Sequence, residues 1–228
     1  MTVQERYRKV LETFAATIPE PETELHYENP FQLLVAVILS AQCTDKRINQ
    51  VTPALFRRFP TSRDMSQATP EDVYPYIRSV TYPNNKSKAL VSAARQLEDE
   101  FGGEMPKDID NLMKLPGVGR KTANVMLAVL WNGAAMPVDT HVFRVSNRIG
   151  LTNNSKTPLS TERTLCRHIP DELLPKAHHW LILHGRYVCK SRTPDCYGCV
   201  ISEFCKSYPN FLKEFKQKEE AKAKQKKK

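Results

Sequence analysis

The sequence predicts an all-α protein, and three observations predict it. Apolar residues recur at helical spacing in several long segments, most of them opened by a capping residue followed by proline. Alternating apolar and polar runs, which a half-buried strand needs, are nearly absent. The connections between periodic segments are short, which suits many helices packed on one another. At 228 residues the chain can bury a sizeable core, as one large domain or as two smaller ones sharing a cleft.

The elements follow in order. MTVQERYRKVLETF reads as an amphipathic helix whose acidic residues distinguish it from a secretory signal or a transit peptide. Asn29 and Pro30 supply a cap and a first helical residue for FQLLVAVILSA, which ends near SAQCTD. That apolar run, Phe31 to Ala41, falls short of the roughly 20 residues a bilayer span requires, so a cytoplasmic location is expected. Thr44 or Asp45 caps KRINQVTPALFRRF, with a kink or break expected at Pro53. Thr69-Pro70-Glu71-Asp72 and Thr157-Pro158 repeat the cap-plus-proline device. YPNNKSK at 82–88 is a turn by composition, and a helix over 87–101 closes on Gly102-Gly103. No internal repeat is present.

The formal charge of +9 and pI near 9.3 favour a polyanionic partner. Eight lysines against three glutamates between Lys213 and Lys228 supply +5 of that charge. This stretch has one aromatic residue and no periodic apolar face, so it is expected to be a disordered tail or a frayed helix.

DNLMKLPGVGRKTANVMLAVLW reads as helix, hairpin, helix, with PGVG as the turn and the second helix starting at Arg120 or Lys121. Glycines at 117 and 119 let the backbone approach a phosphate, and the amides of the next helix start point at such an anion. The likeness to a phosphate-binding P-loop is superficial, because Arg120 separates glycine from lysine and a helix precedes the turn. On its own the lysine either closes a loop or delivers an amine to a phosphate-rich substrate. In PVDTHVFRVSNRIGL, Asp139 occupies an N-cap position and Gly150 a helix stop, and the helix between them puts Arg144 and Arg148 on one face.

Four of the six cysteines, Cys189, Cys196, Cys199 and Cys205, form a C-x6-C-x2-C-x5-C run. Such crowding in a cytosolic protein argues for a metal or cluster held by thiolates, and a compact run with one CxxC fits an iron–sulfur cluster better than zinc. Cys43 and Cys166 lie outside the run and read as buried hydrophobes. The loop after Cys189 carries Lys190 and Arg192, with Arg186 just before it, and a cluster that pins such a basic loop can position DNA with no redox work required.

LPGVGRKTA resembles the helix-hairpin-helix of base-excision DNA glycosylases. Together with VDTHVFRVSNRIGL, LSAQCTD at 39–45, HHWLILHGRYVC at 178–189 and the four-cysteine run, it makes the chain similar to the endonuclease III family over roughly residues 20–206. The resemblance implies a two-lobed glycosylase fold. A lobe over 22–133 would carry the hairpin, and residues 1–21 with 134–212 would pack around a [4Fe-4S] cluster held by the four cysteines, followed by the tail at 213–228. It also implies that Lys121 is the nucleophile and Asp139 its partner, acting on double-stranded DNA with damaged bases or abasic sites. A lysine at this position divides bifunctional enzymes, which form a Schiff base and cut the strand, from relatives that only remove the base. Oxidised pyrimidines as substrates, a monomer and a nucleoid location follow from the resemblance alone.

An amine attacks only when neutral, and an unperturbed lysine, with a pKa of about 10.4, is almost wholly protonated at neutral pH. Burial against the apolar helix, the helix N-terminus and neighbouring Arg120 all favour the neutral form. Gln42, Leu115, Gly117, Gly119, Arg120, Arg186, Lys190 and Arg192 are the expected DNA contacts, Gln42 as the residue that fills the space an extruded nucleotide leaves. SVTYPNNKSKAL, which matches the family's second wedge loop, runs about two residues longer than the usual form, with Tyr82 as the candidate at its tip. His141 is a substrate contact or a cap of its own helix, and His178, His179 and His184 are structural. Two rivals are a glycosylase that only removes the base, disfavoured by Lys121, and a DNA-binding module that does no chemistry.

Overall fold

Every regular element among the described residues is helical, as the spacing predicts. The computed structural model describes residues 1–225. Its α-helices are α1 (Val3–Thr17), α2 (Pro30–Ser40), α3 (Asp45–Arg58), α4 (Ser62–Ser66), α5 (Pro70–Ile77) and α6 (Pro83–Phe101), then α7 (Ile109–Leu112), α8 (Arg120–Trp131), α9 (Thr140–Ile149), α10 (Pro158–His168), α11 (Leu174–Leu183) and α12 (Tyr208–Gln225). The chain forms two compact units, Thr23–Pro137 on the one hand and Met1–Glu22 with Val138–Lys228 on the other.

In the Thr23–Pro137 unit, α2 is the central element, with Phe31 to Leu39 all buried. Asn29 starts it as expected, accepting the Gln32 amide at 3.0 Å. It packs on α3, α6 and α8, and α6 packs on α4 and α5. Thr44 is the residue that caps α3. Thr69 closes a capping box with Asp72 at the start of α5.

Two local expectations are corrected here. Pro53 does not break α3, which runs through it. Its ring is exposed, while Ile48, Thr52 and Leu55 of the same helix sit in the core. Burial of that face offsets the roughly 3 kcal/mol that an interior proline costs. The turn expected over 82–88 is confined to Tyr82, whose left-handed backbone precedes Pro83 at the first helical position of α6. Asn84 to Lys88 are therefore helical. The end of α6 is as predicted, with Gly102 and Gly103 both left-handed and their amides returned to Glu98 O and Leu97 O.

In the second unit, α1 lies against the turn after α9 and against a residue within the cysteine run. Tyr7 donates its hydroxyl to Leu151 O at 2.7 Å, and Arg6 Nε donates to Phe204 O at 2.9 Å. Trp180 of α11 is 1 % exposed and donates its indole N–H to Ile18 O at 2.7 Å. A π-helical turn, His184–Val188, continues α11 and packs on α9. A Cβ on Gly185 would sit 2.8 Å from His141 Cβ, so the close approach of that turn to α9 requires glycine. Of the two readings of the tail from residue 213, disordered or a frayed helix, the structure has the helical one, with α12 running through Gln225. Phe215 meets Phe211 and Tyr197, which anchors its first turns, and Lys, Glu, Ala and Gln are good helix formers beyond them. Residues 226–228 of that expected tail lie outside the described residues.

Candidate active site and DNA interface

Asp108 caps the short α7, accepting the Asn111 amide at 2.9 Å, and the chain turns through Leu115 to Val118 with Val118 N–H on Leu115 O at 3.0 Å. Gly117 has φ +82, and a Cβ there would meet Ala89 Cβ at 3.1 Å. Torsion and crowding thus both select glycine, and they seat the hairpin on α2 and α6, since Ile38 is the next neighbour. Gly119 differs: its φ is −92, and a Cβ added there would meet nothing within 4 Å. It is the N-cap of α8, and no side chain caps this helix start. The first-turn amides are therefore not claimed by a capping oxygen, which is the arrangement that suits an anion.

Arg120 and Lys121 occupy the first two positions of α8 and are both exposed. This corrects the expectation that Lys121 is buried against the apolar helix. Ala123 to Met126 and Ala128 form the buried face of α8, and Lys121 projects from the other side of its first turn. Leu115 is corrected as well. It is 1 % exposed and part of the core, so its side chain supports the hairpin from beneath rather than meeting a ligand.

Two exposed residues of the same unit share an uncommon backbone. Gln42, just past α2, and Tyr82, just before α6, both have φ 55. Thr81 Oγ1 donates to Gln42 O at 2.8 Å, which ties the two turns together. Lys86, in the first turn of α6, was missed by sequence reasoning, which left it inside a turn. Its signal was legible: with Leu90, Ala93, Ala94 and Leu97 it completes one apolar helical stripe, an unusual place for a lysine.

In the other unit, Asp139 caps α9 as expected. Its Oδ1 accepts the Val142 amide at 2.8 Å, which fixes the carboxylate, and Gly150 ends the helix with φ 87. His141 is half-buried, its Nδ1 3.3 Å from an Arg144 guanidinium nitrogen. Arg144 donates to Gly185 O at 2.9 Å and to Cys189 O at 3.2 Å. Arg148 donates to Lys190 O and Ser191 O, each at 2.8 Å, and reaches Cys189 Sγ at 3.6 Å. One face of α9 therefore clamps the backbone of the basic loop, whose Lys190 and Arg192 side chains are exposed; Arg186 is half-buried.

Cys189, Cys196, Cys199 and Cys205 are free thiols and line one cavity with Arg148, Ile149 and His184. Among the described residues, no three His, Cys, Asp or Glu side chains come together as ligands of a single metal ion. Burial pushes the Cys196 and Cys199 thiols up to about 11, and the charges of neighbouring cysteines push the same way. A thiolate is the form that binds a metal, so four cysteines lining one cavity suit a multivalent cation that compensates their charge. Burial holds His184 at about 4, which agrees with a structural rather than a titrating histidine. Cys43 and Cys166 are half-buried.

A family model for the HhH-GPD superfamily base excision DNA repair protein matches residues 35–171. The endonuclease III of Rickettsia conorii is 48% identical over 202 residues, which cover 89% of this chain and 96% of that protein. The chain belongs to the endonuclease III family. The endonuclease III of Escherichia coli is 42% identical over 187 residues, 82% of this chain and 88% of that protein. Among solved structures, a trapped endonuclease III–DNA covalent intermediate superposes with a TM-score of 0.87 at 40% identity, covering 93% of this chain and 100% of that one. A thermostable thymine-DNA glycosylase shares the fold, with a TM-score of 0.82 at 19% identity over 90% of this chain and 98% of that one.

Proposed function

We propose that this chain is a bifunctional DNA glycosylase and abasic-site lyase of base excision repair, which removes oxidised pyrimidines and cuts the strand 3′ to the abasic site. The observation that carries the reading is Lys121, exposed at an uncapped helix start directly after a glycine hairpin, in a chain of the endonuclease III family. Hairpin amides at Gly117, Gly119 and Arg120 take a DNA phosphate. The lysine beside them is thereby delivered to the sugar of an extruded nucleotide, because the sugar carbon is out of reach in a stacked duplex.

The neutral Nζ of Lys121 attacks C1′ as the glycosidic bond breaks, and the base leaves with the bonding pair. Asp139, held in orientation by the Val142 amide, stabilises the positive charge that develops on the sugar and accepts the proton that the amine sheds. The C1′–O4′ bond of the sugar then breaks, O4′ taking a proton to become a hydroxyl, and the iminium so formed acidifies the C2′ hydrogen. Loss of that proton expels the 3′ phosphate by β-elimination, and water then hydrolyses the C=N bond to release the enzyme.

Cys189, Cys196, Cys199 and Cys205 hold a [4Fe-4S] cluster. The support is their convergence on one cavity and the negative charge that four thiolates lining it need balanced. With such a cluster bound, the four cysteine thiolates would tie the loop between Cys189 and Cys196 to the rest of its unit. Arg144 and Arg148 hold the same loop from α9, so that Lys190 and Arg192, with Arg186, face the DNA backbone as phosphate contacts. Gln42 enters the space left by the extruded nucleotide.

Borohydride trapping tests this. The wild-type chain becomes covalently attached to duplex DNA containing an oxidised pyrimidine. Lys121→Ala loses trapping by more than about 100-fold while its DNA affinity stays within about threefold. Trapping that persists in Lys121→Ala, mapped by mass spectrometry to another residue, overturns the assignment.

A further inference from the structure

Gln42 and Tyr82 pose a physical problem that the catalytic reading leaves unsolved. Each is a non-glycine residue in the left-handed region, which costs roughly 1 kcal/mol or more apiece. Each is exposed, Tyr82 at 60 %, so neither gains core burial in return. Glycine at either turn would remove the strain. Something must hold these two tips in place, and something must be gained by having side chains there.

Lys86 holds them. It is 7 % exposed, and its Nζ donates to Leu39 O at 2.8 Å and to Ala41 O at 2.7 Å. Those carbonyls belong to the last turn of α2 and the residue after it, the negative end of a helix, where a cation is favoured. Burial lowers the pKa of the amine, and the nearby Cys43 thiol opposes that shift. Burying a lysine costs several kcal/mol unless its hydrogen bonds are met, whereas a glycine cap would end α2 without that cost. Lys86 sits four residues after Tyr82 and reaches the residue before Gln42. It therefore joins the start of α6 to the end of α2, and the Thr81 to Gln42 bond at 2.8 Å joins the same turns at the surface.

We propose that Lys86 is a positioning residue for nucleotide extrusion, which holds Gln42 and Tyr82 at a fixed spacing so that they enter the duplex as one two-pronged wedge. The proposal rests on the reading of Gln42 as the residue that fills the vacated space and of Tyr82 as the residue of the second wedge loop, and it adds Lys86 as what holds the two together. Opening a base step costs a few kcal/mol, and a prong that yields under that load loses the extruded state. A cation with two short bonds to a helix end gives the rigidity, and Tyr82 offers an aromatic face to the base left without its partner.

The test compares one abasic site in duplex and in single-stranded DNA, because only the duplex has a partner base to displace. In the full-length, cluster-loaded enzyme, Lys86→Met is expected to lower single-turnover cleavage of the duplex about tenfold or more while single-strand cleavage stays within about twofold. Lys86→Arg restores part of the loss, and 2-aminopurine opposite the site reports less unstacking in the Met variant. Equal loss on both substrates, or no loss on either, overturns the proposal. Gln42→Ala and Tyr82→Ala separate it from the reading beneath it. If neither changes the duplex-to-single-strand ratio, the wedge reading fails and the role of Lys86 falls with it; if both do and Lys86→Met does not, only the role of Lys86 fails. Should Lys86→Met not fold, Thr81→Val removes the surface tie alone. It must shift the ratio in the same direction by a smaller factor, and an unchanged ratio in that variant counts against the proposal.

Discussion

Asp139 does two things with one geometry. Its Oδ1 takes the Val142 amide at the start of α9, and the same bond fixes the carboxylate whose charge the proposed chemistry needs. Asparagine caps a helix about as well as aspartate, so Asp139→Asn separates the two roles. Thermal stability should change by no more than about 0.5 kcal/mol. Single-turnover base removal should slow on the order of 100- to 1,000-fold, because the charge that offsets the developing cation is gone. A preformed abasic site needs no base removal, so strand cutting there should suffer much less. An equal defect on damaged base and abasic site would remove Asp139 from the first step. The places of Lys121 at a helix start and Asp139 at an N-cap were legible in the sequence, because each follows a local backbone signal, a glycine turn or a cap. Leu115 was not: its neighbours in sequence are hairpin residues, but its side chain is turned into the core by packing that acts at long range.

The hairpin shows how an element can forgo stability to keep a surface open. Serine at an N-cap is worth about 1 kcal/mol over a residue that cannot cap, and a few tenths over glycine. Gly119 has ordinary torsions and room for a side chain, so nothing in the fold forbids serine there. Gly119→Ser is therefore expected to leave the unfolding midpoint unchanged or slightly raised. Its hydroxyl would occupy the first-turn amides that the proposed function assigns to phosphate, so affinity for abasic duplex should fall about three- to tenfold. Unchanged affinity in a variant shown to be capped would move the phosphate away from this helix start. Gly117 is the contrasting case, since its φ of +82 and the nearby Ala89 make glycine a requirement of folding.

The whole chain combines a basic charge with a cavity of four thiols, and the two are coupled through one loop. Holoprotein should be brown with broad visible absorbance and about four irons per chain. Cys199→Ser removes one proposed ligand from the interior of the unit formed by the chain termini. Its main effect should be a lower yield of folded protein and faster proteolysis after Arg186, because the cluster's binding energy is part of that unit's folding energy. The remaining soluble protein should lose affinity for DNA and the steepness of its salt dependence together, as the loop carrying Lys190 and Arg192 is released. One zinc and no iron on metal analysis would sink the cluster, leaving the loop to be held by Arg144 and Arg148 alone.

The all-helical architecture, the caps at Asn29, Thr69, Asp139 and Thr157, the hairpin and the grouping of four cysteines could all be read from residue order. Each of them is a local matter of periodicity, of a side-chain oxygen three residues from an amide, or of ligand spacing. Other features depend on elements distant in sequence. Burial of one face of α3 decided that the helix continues through Pro53, and packing decided that α8 buries Ala123 to Met126 while Lys121 stays exposed. The same holds for the polar links. Lys86 finds its two acceptors 45 and 47 residues away, and Arg148 finds Lys190 at a separation of 42. A hydrogen bond leaves no trace in sequence when its partners are brought together only by a helix packing against another, which is why the surface tips and the clamped loop became visible only in three dimensions.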